Sequence, residues 1–307
     1  MNTAEVLLIG LILDAVIGDP AWIWARLPHP VVLFGKTISW FDRTYNTGAH
    51  RKLKGAFSLF CFTFGAGVLG WLLSLAGAVV EIVVLIVLLA HRSLLDHISA
   101  VARGLAQSEA KGREQVANIV GRDTKDMDAV QITRATIESA AENLSDGVMA
   151  PAFWFLLGGL PGLLVYKVVN TADSMIGYRN VAYRDFGWAA AQFDDLLNLI
   201  PARLTAAMIA LMHGQHRAWR HIQRDAALHR SPNAGWPEAA MALSLDVSLS
   251  GPRSYDNQLE DFPWVNKSGR KTAGISDIYQ CCTALWKSWI GMLGMLQVVV
   301  LTLALLG

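Results

Sequence analysis

Four charged side chains recur at every fourth position before the middle of the chain: Arg134, Glu138, Glu142 and Asp146. Residues four apart lie on one face of an α-helix, so the spacing predicts a charged stripe. A salt bridge from Arg134 to Glu138 accounts for the first two, but three carboxylates in a row repel one another unless a cation neutralises them. Mg²⁺ needs only one or two protein carboxylates besides phosphate oxygens and water. The stripe therefore indicates metal or ligand binding by at least one carboxylate, with a solvated helix face as the alternative.

A second polar face follows an apolar segment, with Asn170, Asp173, Ser174 and Gly177 at i, i+3, i+4 and i+7. Beside such a segment, a small polar face favours a buried or ligand-lining role. Basic side chains suited to phosphates or carboxylates occur nearby at Lys167, Arg179, Arg184 and Arg203. A second acidic cluster comprises Asp194, Asp195 and Asn198. A surface salt bridge is the alternative for any one of them, but their number favours a site.

The sequence contains no complete motif for a P-loop, a histidine metal site or a zinc site. Gly35-Lys36-Thr37 resembles the end of a phosphate-binding P-loop, but Pro30 stands where the first glycine is required. His213 and His216 have no acidic residue nearby, which favours a membrane-edge feature over a metal site. The three cysteines lack paired C-x-x-C spacing, so no zinc site is predicted.

The composition predicts a membrane protein. Of 307 residues, 53% are hydrophobic and 17% are charged, and the mean hydropathy is +0.35. Soluble domains usually have about a quarter charged residues. The net charge of +1 provides no basic field, so a nucleic-acid partner is not expected. We therefore expect the chain to be embedded in a lipid bilayer.

Uncharged runs of about 20 residues mark candidate transmembrane helices. Three runs qualify: 55–80, 147–166 and 288–307. Weaker candidates are 6–17, 82–90 and 196–212. We therefore expect four to six membrane segments.

The apolar stretch 55–90 is too long for one straight span, so we predict a hairpin broken around residues 74–77. A hairpin returns the chain to its starting side, and the basic segment Arg51, Lys52 and Lys54 predicts that this side is cytoplasmic. Run 147–166 contains four glycines and two prolines, which predicts a broken, re-entrant helix.

The predicted fold class is all-α, because no convincing run of alternating β-branched residues occurs. We expect one polytopic membrane domain over 1–307, with a polar catalytic middle region at about 91–204 and a polar loop region at about 214–287. Residues 231–235, Ser-Pro-Asn-Ala-Gly, predict a loop or a helix start.

Several segments resemble one family when taken together. Residues 14–20 read DAVIGDP, 28–31 read PHPV, 121–124 read GRDT and 134–139 read RATIES. Further segments are 141–147 AENLSDG, 170–178 NTADSMIGY, 183–187 YRDFG, 201–204 PARL and 229–239 HRSPNAGWPEA. In order and spacing they are similar to the adenosylcobinamide-phosphate synthase family of cobalamin biosynthesis, CobD/CbiB. The stretch 241–252 departs from the family pattern, since Leu243 and Ser250 stand where glycines are expected.

The resemblance implies amide formation that depends on ATP and Mg²⁺, joining adenosylcobyric acid to (R)-1-amino-2-propanol or its O-phosphate. It implies an inner-membrane, multi-pass enzyme whose catalytic side is cytoplasmic and which holds no tightly bound prosthetic group. Other enzymes of cobalamin assembly are possible partners. Two other functions stay open: a non-catalytic membrane sensor or accessory protein of the AmpE-like kind, and a corrinoid transporter, against which the lack of inverted repeats argues.

Roles follow from the resemblance as hypotheses. The metal ligands are Glu138, Glu142, Asp146 and Asp173. The catalytic residues are Glu138, Glu142, Asp194 and Asp195, with Asp194 or Asp195 as the base. Substrate and nucleotide binding falls to Asp19, His29, Arg122, Asp123, Arg134, Asn143, Lys167, Asn170, Ser174, Tyr178, Arg179, Arg184, Arg203, His229 and Asn233. For Asp19 and His29, simple loop packing is the alternative.

Overall fold

A computed structural model describes residues 1–255 and 258–306, and helices predominate there, as predicted. The first half contains α1 Thr3–Ile17, α2 Ala21–Trp24, α3 Pro30–Tyr45, α4 Arg51–Ser74, α5 Ala78–Leu88, α6 His91–Gln107, α7 Glu109–Val116 and α8 Ala129–Leu144. The second half contains α9 Ala150–Ile176, α10 Trp188–Met212, α11 Trp219–Ala226, α12 Gly235–Leu245 and α13 Ile275–Leu306. A π-helical turn, Ser145–Met149, joins α8 to α9, and a 3₁₀ turn, His216–Ala218, precedes α11.

Four strands of two or three residues interrupt the polar loop after α12, where only irregular loops are predicted. They are β1 Leu249–Ser250, β2 Arg253–Tyr255, β3 Gln258–Glu260 and β4 Trp264–Val265. β1 pairs with β4 and β2 pairs with β3, both antiparallel. Runs this short carry no alternating pattern, so the all-α prediction holds for the chain.

The described residues form two compact units. Unit 1 contains Met1–Arg92, Asp146–Leu199 and the residues after Leu301, and unit 2 contains Ser93–Ser145 and Ile200–Leu301. Within unit 1, α4 and α3 pack against α9, and α1 packs against α5. Within unit 2, α8 packs against α7, α12 and β1, and α11 packs against α12. The prediction of one domain over the whole chain stays a prediction.

Within the described part of the chain, five helical stretches are long and apolar enough to cross a bilayer, a number inside the predicted four to six. They are Arg51–Ser74, Ala78–Gln107, Ala129–Ile176, Trp188–Met212 and Ile275–Leu305. The chain is therefore an all-α, multi-pass membrane protein. The N-terminal helix α1, with 15 residues, is shorter than a span requires.

The predicted break between α4 and α5 is confirmed. Helix α4 ends at Ser74 and α5 begins at Ala78, and Gly77 between them has φ 90°. Only glycine adopts this conformation without strain, which explains why the break falls there.

Helix α9 is broken, as predicted. Gly159 has φ 59° and ψ −152° inside it, and Pro161 follows two residues later without a backbone N–H to donate. Gly70 of α4 lies against the break, where a Cβ would come within 2.6 Å of the Pro161 nitrogen. Helix α4 thus covers one side of the irregular backbone, whereas Leu157 and Gly158 beside it are exposed.

Candidate functional site

The predicted site residues divide between the two units. Unit 1 contains Asp19, His29, Asp146, Lys167, Asn170, Asp173, Ser174, Tyr178, Arg179, Arg184, Asp194 and Asp195. Unit 2 contains Arg122, Asp123, Arg134, Glu138, Glu142, Asn143, Arg203, His229 and Asn233. The geometry is therefore given for each unit in turn.

A lysine among carboxylates is the main charged cluster of unit 1. Lys167 on α9 is half-buried and interacts electrostatically with Asp146, Asp19 and Asp14. Asp146 lies in the π-helical turn, a distortion found often at functional sites. A basic side chain beside several carboxylates can bind phosphate groups while the carboxylates bind a metal ion or an amine.

Asp14 joins this cluster from the C-terminal turn of α1. It is 1% exposed, and its Oδ2 accepts the His91 backbone N–H at 3.0 Å. Burial raises the pKa of this carboxyl to about 7, and the repulsion from Asp19 adds to the effect. The hydrogen bond from His91 and the charge of Lys167 act in the opposite direction.

A buried hydrogen-bond chain links α9 to α10. Asp194 accepts the side-chain amides of Asn170 at 3.2 Å and Asn198 at 3.0 Å. The Tyr166 hydroxyl donates to Asn198 Oδ1 at 3.0 Å and lies 3.1 Å from the Asp146 carbonyl oxygen. Each Asp194 oxygen is therefore occupied by an amide donor, and the chain orders this part of unit 1.

Asp195 lies next to Asp194 in a different setting. It is half-buried, and the charge of Arg179 lies close enough to act on it. The neighbouring predicted residues Tyr178, Arg179 and Arg184 are exposed, and Arg184 lies 4.0 Å from Asp185. The exposed arginines are thus available to an anionic substrate.

The predicted polar face at the end of α9 is present. Asp173 is half-buried, Ser174 is exposed, and the Ser174 hydroxyl donates to the Asn170 carbonyl at 2.9 Å. A side chain at Gly177 would collide with the Asp173 carboxylate, so glycine is required there.

His29 has a structural position in the loop after α2. Its Nδ1 accepts the Val31 backbone N–H at 3.2 Å, which caps α3, and its Nε2 lies 3.1 Å from the Val87 carbonyl oxygen. Asp19 Oδ1 is 3.9 Å from Nε2. These contacts favour the loop-packing alternative for His29, whereas Asp19 reaches the charged cluster of Lys167.

Glu138 is the centre of the unit 2 arrangement. Its Oε2 accepts from Arg122 at 3.0 Å, and its Oε1 accepts the Ser250 backbone N–H at 2.7 Å. The side chains are 7% exposed for Glu138 and 10% for Arg122. Arg134 donates to the Ser250 carbonyl at 3.4 Å and lies over the Trp264 ring. Arg134 and Glu138, the salt-bridge pair predicted from the sequence, thus both contact the short β1 strand.

The next residues on α8 differ in exposure. Glu142 and Asn143 are exposed, and Asn143 donates to the Ser139 carbonyl at 2.9 Å. Asp123 accepts the Lys125 backbone N–H at 3.0 Å in the preceding loop. The stripe is therefore no uniform solvated face, because Glu138 is buried and Glu142 is not.

A third cluster surrounds Arg203 in unit 2. Its Nη1 donates to Asn233 Oδ1 at 2.5 Å, and its guanidinium lies 4.8 Å from the Trp236 ring centre. His229 lies 3.6 Å from the buried Glu238. Ser231 Oγ accepts the backbone N–H groups of residues 233 and 234, which confirms the predicted helix start before α12.

Among the residues that the structure describes, no three His, Cys, Asp or Glu side chains form a group able to hold a metal ion alone. A Mg²⁺ ion that also binds phosphate does not need such a group, because one or two carboxylates suffice. The oxygen donors around Lys167 in unit 1 fit that requirement, and the exposed Glu142 in unit 2 fits it separately.

The model of the family described as CobD/Cbib protein matches residues 7–285. The chain belongs to the CobD/CbiB family. The matched range contains every predicted site residue of both units.

Close relatives agree with this membership. A "Cobalamin biosynthesis protein CobD" of Rhizobium meliloti (strain 1021) is 47% identical over 306 residues, 92% of this chain and 94% of the relative. The protein of the same name from Brucella anthropi is 45% identical, covering 94% of each chain, and that of Rhodobacter capsulatus is 42% identical, covering 87% and 88%. No solved structure matches significantly. CobD/CbiB membership supports a role for this chain in cobalamin biosynthesis.

Several residues that the structure brings to the clusters of this CobD/CbiB member were not among the predicted site residues: Asp14, Tyr166, Glu238 and Ser250. Asp14 had a signal, since it is a lone carboxylate in an apolar run. Ser250 contributes its backbone N–H, which no side-chain pattern reports.

Proposed function

We propose that this CobD/CbiB protein is a carbon–nitrogen ligase that joins adenosylcobyric acid to (R)-1-amino-2-propanol or its O-phosphate, using ATP and Mg²⁺. The observation that carries the proposal is the family match over 7–285, which includes all three polar clusters. Amide formation needs groups that bind phosphate, a metal and an amine proton, and the clusters supply such groups.

A carboxylate and an amine do not condense unaided at neutral pH, so the propionate is activated first. A propionate oxygen attacks the terminal phosphorus of ATP, and ADP leaves. The amine nitrogen then attacks the acyl carbon of this acyl phosphate, inorganic phosphate leaves, and the nitrogen loses a proton. Lys167 in unit 1 is assigned to the transferred phosphoryl group, because it is the lysine among carboxylates.

The arginines are assigned to binding those anionic groups of the substrates that take no part in bond formation. Arg179 and Arg184 in unit 1 and Arg203 in unit 2 are the candidates for phosphates and the corrin carboxylate. Arg203 is already oriented by Asn233 and Trp236, which lowers the entropy lost on binding.

The proton of the amine goes to Asp195 in this proposal. Asp194 is the less suitable base, since both of its oxygens accept from asparagine amides. Asp195 is half-buried beside Arg179 and keeps access to a substrate.

Candidate Mg²⁺ ligands are Glu142, Asp146 and Asp173, of which one or two suffice. When bound, Mg²⁺ neutralises phosphate charge. Glu138 is assigned instead to positioning, because Arg122 and the Ser250 amide occupy its two oxygens.

The catalytic side is proposed to face the cytoplasm across the inner membrane. Support comes from Arg51, Lys52 and Lys54 in the first turn of α4, since Lys and Arg near the ends of membrane spans favour the cytoplasmic side.

The test supplies adenosylcobyric acid, ATP and Mg²⁺ to membranes containing the full chain, with either amine in separate reactions. We expect a corrinoid whose mass has increased by that of the amine or its phosphate less one water, and none without ATP. Membranes that lack the chain provide the negative control. If neither amine gives a product while the chain is present and folded, the ligase proposal is wrong and the sensor or transporter becomes the better explanation.

A further inference from the structure

An apolar cleft of about 240 Å³ lies in unit 1 between α3, α4 and α9. Its wall includes Phe34, Phe41, Cys61, Phe62, Leu69 and Val168. Leu69 is 45% exposed, so the cleft opens to the outside of the unit. Since an apolar cavity of ~150 Å³ already binds benzene, this one has room for part of a hydrocarbon chain.

The cleft runs along the axis of a candidate membrane span. The Phe41 and Phe62 rings contact at 4.7 Å at one end, and Phe34 and Leu69 lie seven residues further along their helices. Seven helical residues span about 10 Å. Because α4 is one of the candidate spans, the cleft is aligned with the lipid chains that surround such a helix.

Basic and aromatic side chains collect where α3 ends and α4 begins. Arg43 and Lys52 are exposed there, and the Lys52 ammonium lies 3.8 Å from the centre of the Trp188 ring. Trp40 and Tyr45 are also exposed, as is typical of the membrane–water interface. Lys54 precedes Cys61, the first α4 residue of the wall, by seven residues, again about 10 Å.

We propose that the cleft binds one acyl chain of an anionic phospholipid of the bilayer, with the headgroup against Lys54, which shares a helix face with the wall residue Cys61. The apolar wall accepts the chain, and the basic end selects the headgroup charge. This site is independent of the amide-forming function proposed above.

Gly65 offers a direct test because it lies in the cleft wall and a Cβ there would meet no atom within 4 Å. Gly65→Leu should fill the cleft without moving the backbone. Gly294→Leu is the matched control, since Gly294 lies on another candidate span and its Cβ would also meet nothing. Both variants keep the full chain.

The probe is phosphatidylglycerol with a photoactivatable acyl chain, in vesicles containing the full-length protein, with crosslinks mapped by mass spectrometry. We expect crosslinks at cleft residues of 61–69, reduced at least fivefold in Gly65→Leu and unchanged in Gly294→Leu. The proposal is wrong if Gly65→Leu does not reduce the labelling. It is also wrong if the outward-facing Phe57, Phe60 and Phe64 are labelled as strongly as the cleft residues. Crosslinks between two copies of the chain across the cleft overturn it as well.

The headgroup is tested with the same acyl chain on phosphatidylcholine. We expect severalfold weaker labelling than with phosphatidylglycerol, and loss of this preference in Lys54→Gln. Equal labelling of the unsubstituted protein by the two lipids overturns the assignment of an anionic headgroup.

Discussion

The Glu138 carboxylate accepts the backbone N–H of Ser250 at 2.7 Å, across 112 residues of chain. The same carboxylate binds Arg122 through its other oxygen. One buried side chain thereby joins α8, the loop before it and strand β1. A buried acid with both oxygens occupied stabilises the arrangement of a site more directly than it performs chemistry.

Replacing Glu138 by Gln should destabilise unit 2. The substitution removes the charge that compensates Arg122, whose side chain is 10% exposed, and breaking a buried pair costs about 3 kcal/mol. Thermal unfolding in detergent measures the change. Glu142→Gln is the matched control: Glu142 is exposed, so its stability should stay within about 0.5 kcal/mol of the unsubstituted protein.

The same pair of variants separates positioning from chemistry. Glu142→Gln should abolish amidation with normal stability and membrane expression, as a metal ligand requires. Full activity in that variant would remove Glu142 from the metal role. A Glu138→Gln protein as stable as the unsubstituted one would show that the ion pair with Arg122 contributes nothing.

Replacing Ser250 by glycine should leave the stability of the fold nearly unchanged, whereas replacing it by valine should lower the stability. Its φ of 61° lies in the left-handed region, where glycine is free of strain and β-branched residues are strongly disfavoured. We expect Ser250→Gly to change the free energy of unfolding by less than about 1 kcal/mol and Ser250→Val to lower it by about 2 kcal/mol or more. Equal unfolding temperatures for the two variants would contradict this assignment.

The family pattern predicts a glycine at position 250, and the left-handed backbone supplies the reason. The break after Ser74 and the broken α9 were also predictable, because glycine and proline determine the backbone locally. Each of these features depends only on residues that are neighbours in the sequence, so a local pattern can predict it.

Long-range partners were not predictable in this way. Periodicity offers Glu138 only a local partner, Arg134, and could not report its distant contacts with Arg122 and with the Ser250 backbone amide. Likewise, two adjacent aspartates look alike in sequence, yet Asp194 is buried between two asparagines and Asp195 is half-buried. Tertiary packing decides these differences, and no local pattern contains it.

Asp194 and Asp195 should respond differently to asparagine. Asp195→Asn removes the proposed base and should reduce the amidation rate about 10²- to 10⁴-fold without loss of stability. Asp194→Asn places an amide donor against one of the two asparagine donors and should cost about 1–3 kcal/mol. Initial rates and unfolding curves on both variants check this. The assignment is reversed if Asp194→Asn is stable and inactive while Asp195→Asn is fully active.

Lys167→Met should reduce amidation about 10²-fold or more, because the variant loses the positive charge assigned to the transferred phosphoryl group. Lys36→Met is the control, since Lys36 is exposed on α3 and belongs to none of the polar clusters. Steady-state rates at varied ATP concentration measure both. A Lys167→Met protein that keeps its rate at saturating ATP would place Lys167 outside the reaction.

Asp14 should make the stability of the protein depend on pH. Its folded-state pKa is about 7, above the ordinary value of 3.8, so the folded protein holds this proton more tightly than the unfolded chain does. The stabilisation is fully present below pH 4, declines as the pH rises towards 7, and is absent above that. At about 1.4 kcal/mol per pKa unit, the decline is at most about 4 kcal/mol.

Asp14→Asn should remove this dependence, because the amide oxygen still accepts the His91 N–H while no charge is buried. Other groups titrate in the same range, so the quantity to measure is the difference in unfolding temperature between the variant and the unsubstituted protein, in one detergent, at pH 5 and pH 8. The variant should gain relative stability at pH 8. Asp19→Asn, at an exposed position, should keep most of the original dependence. A difference that is constant across the two pH values would mean that Asp14 stays ionised in the fold.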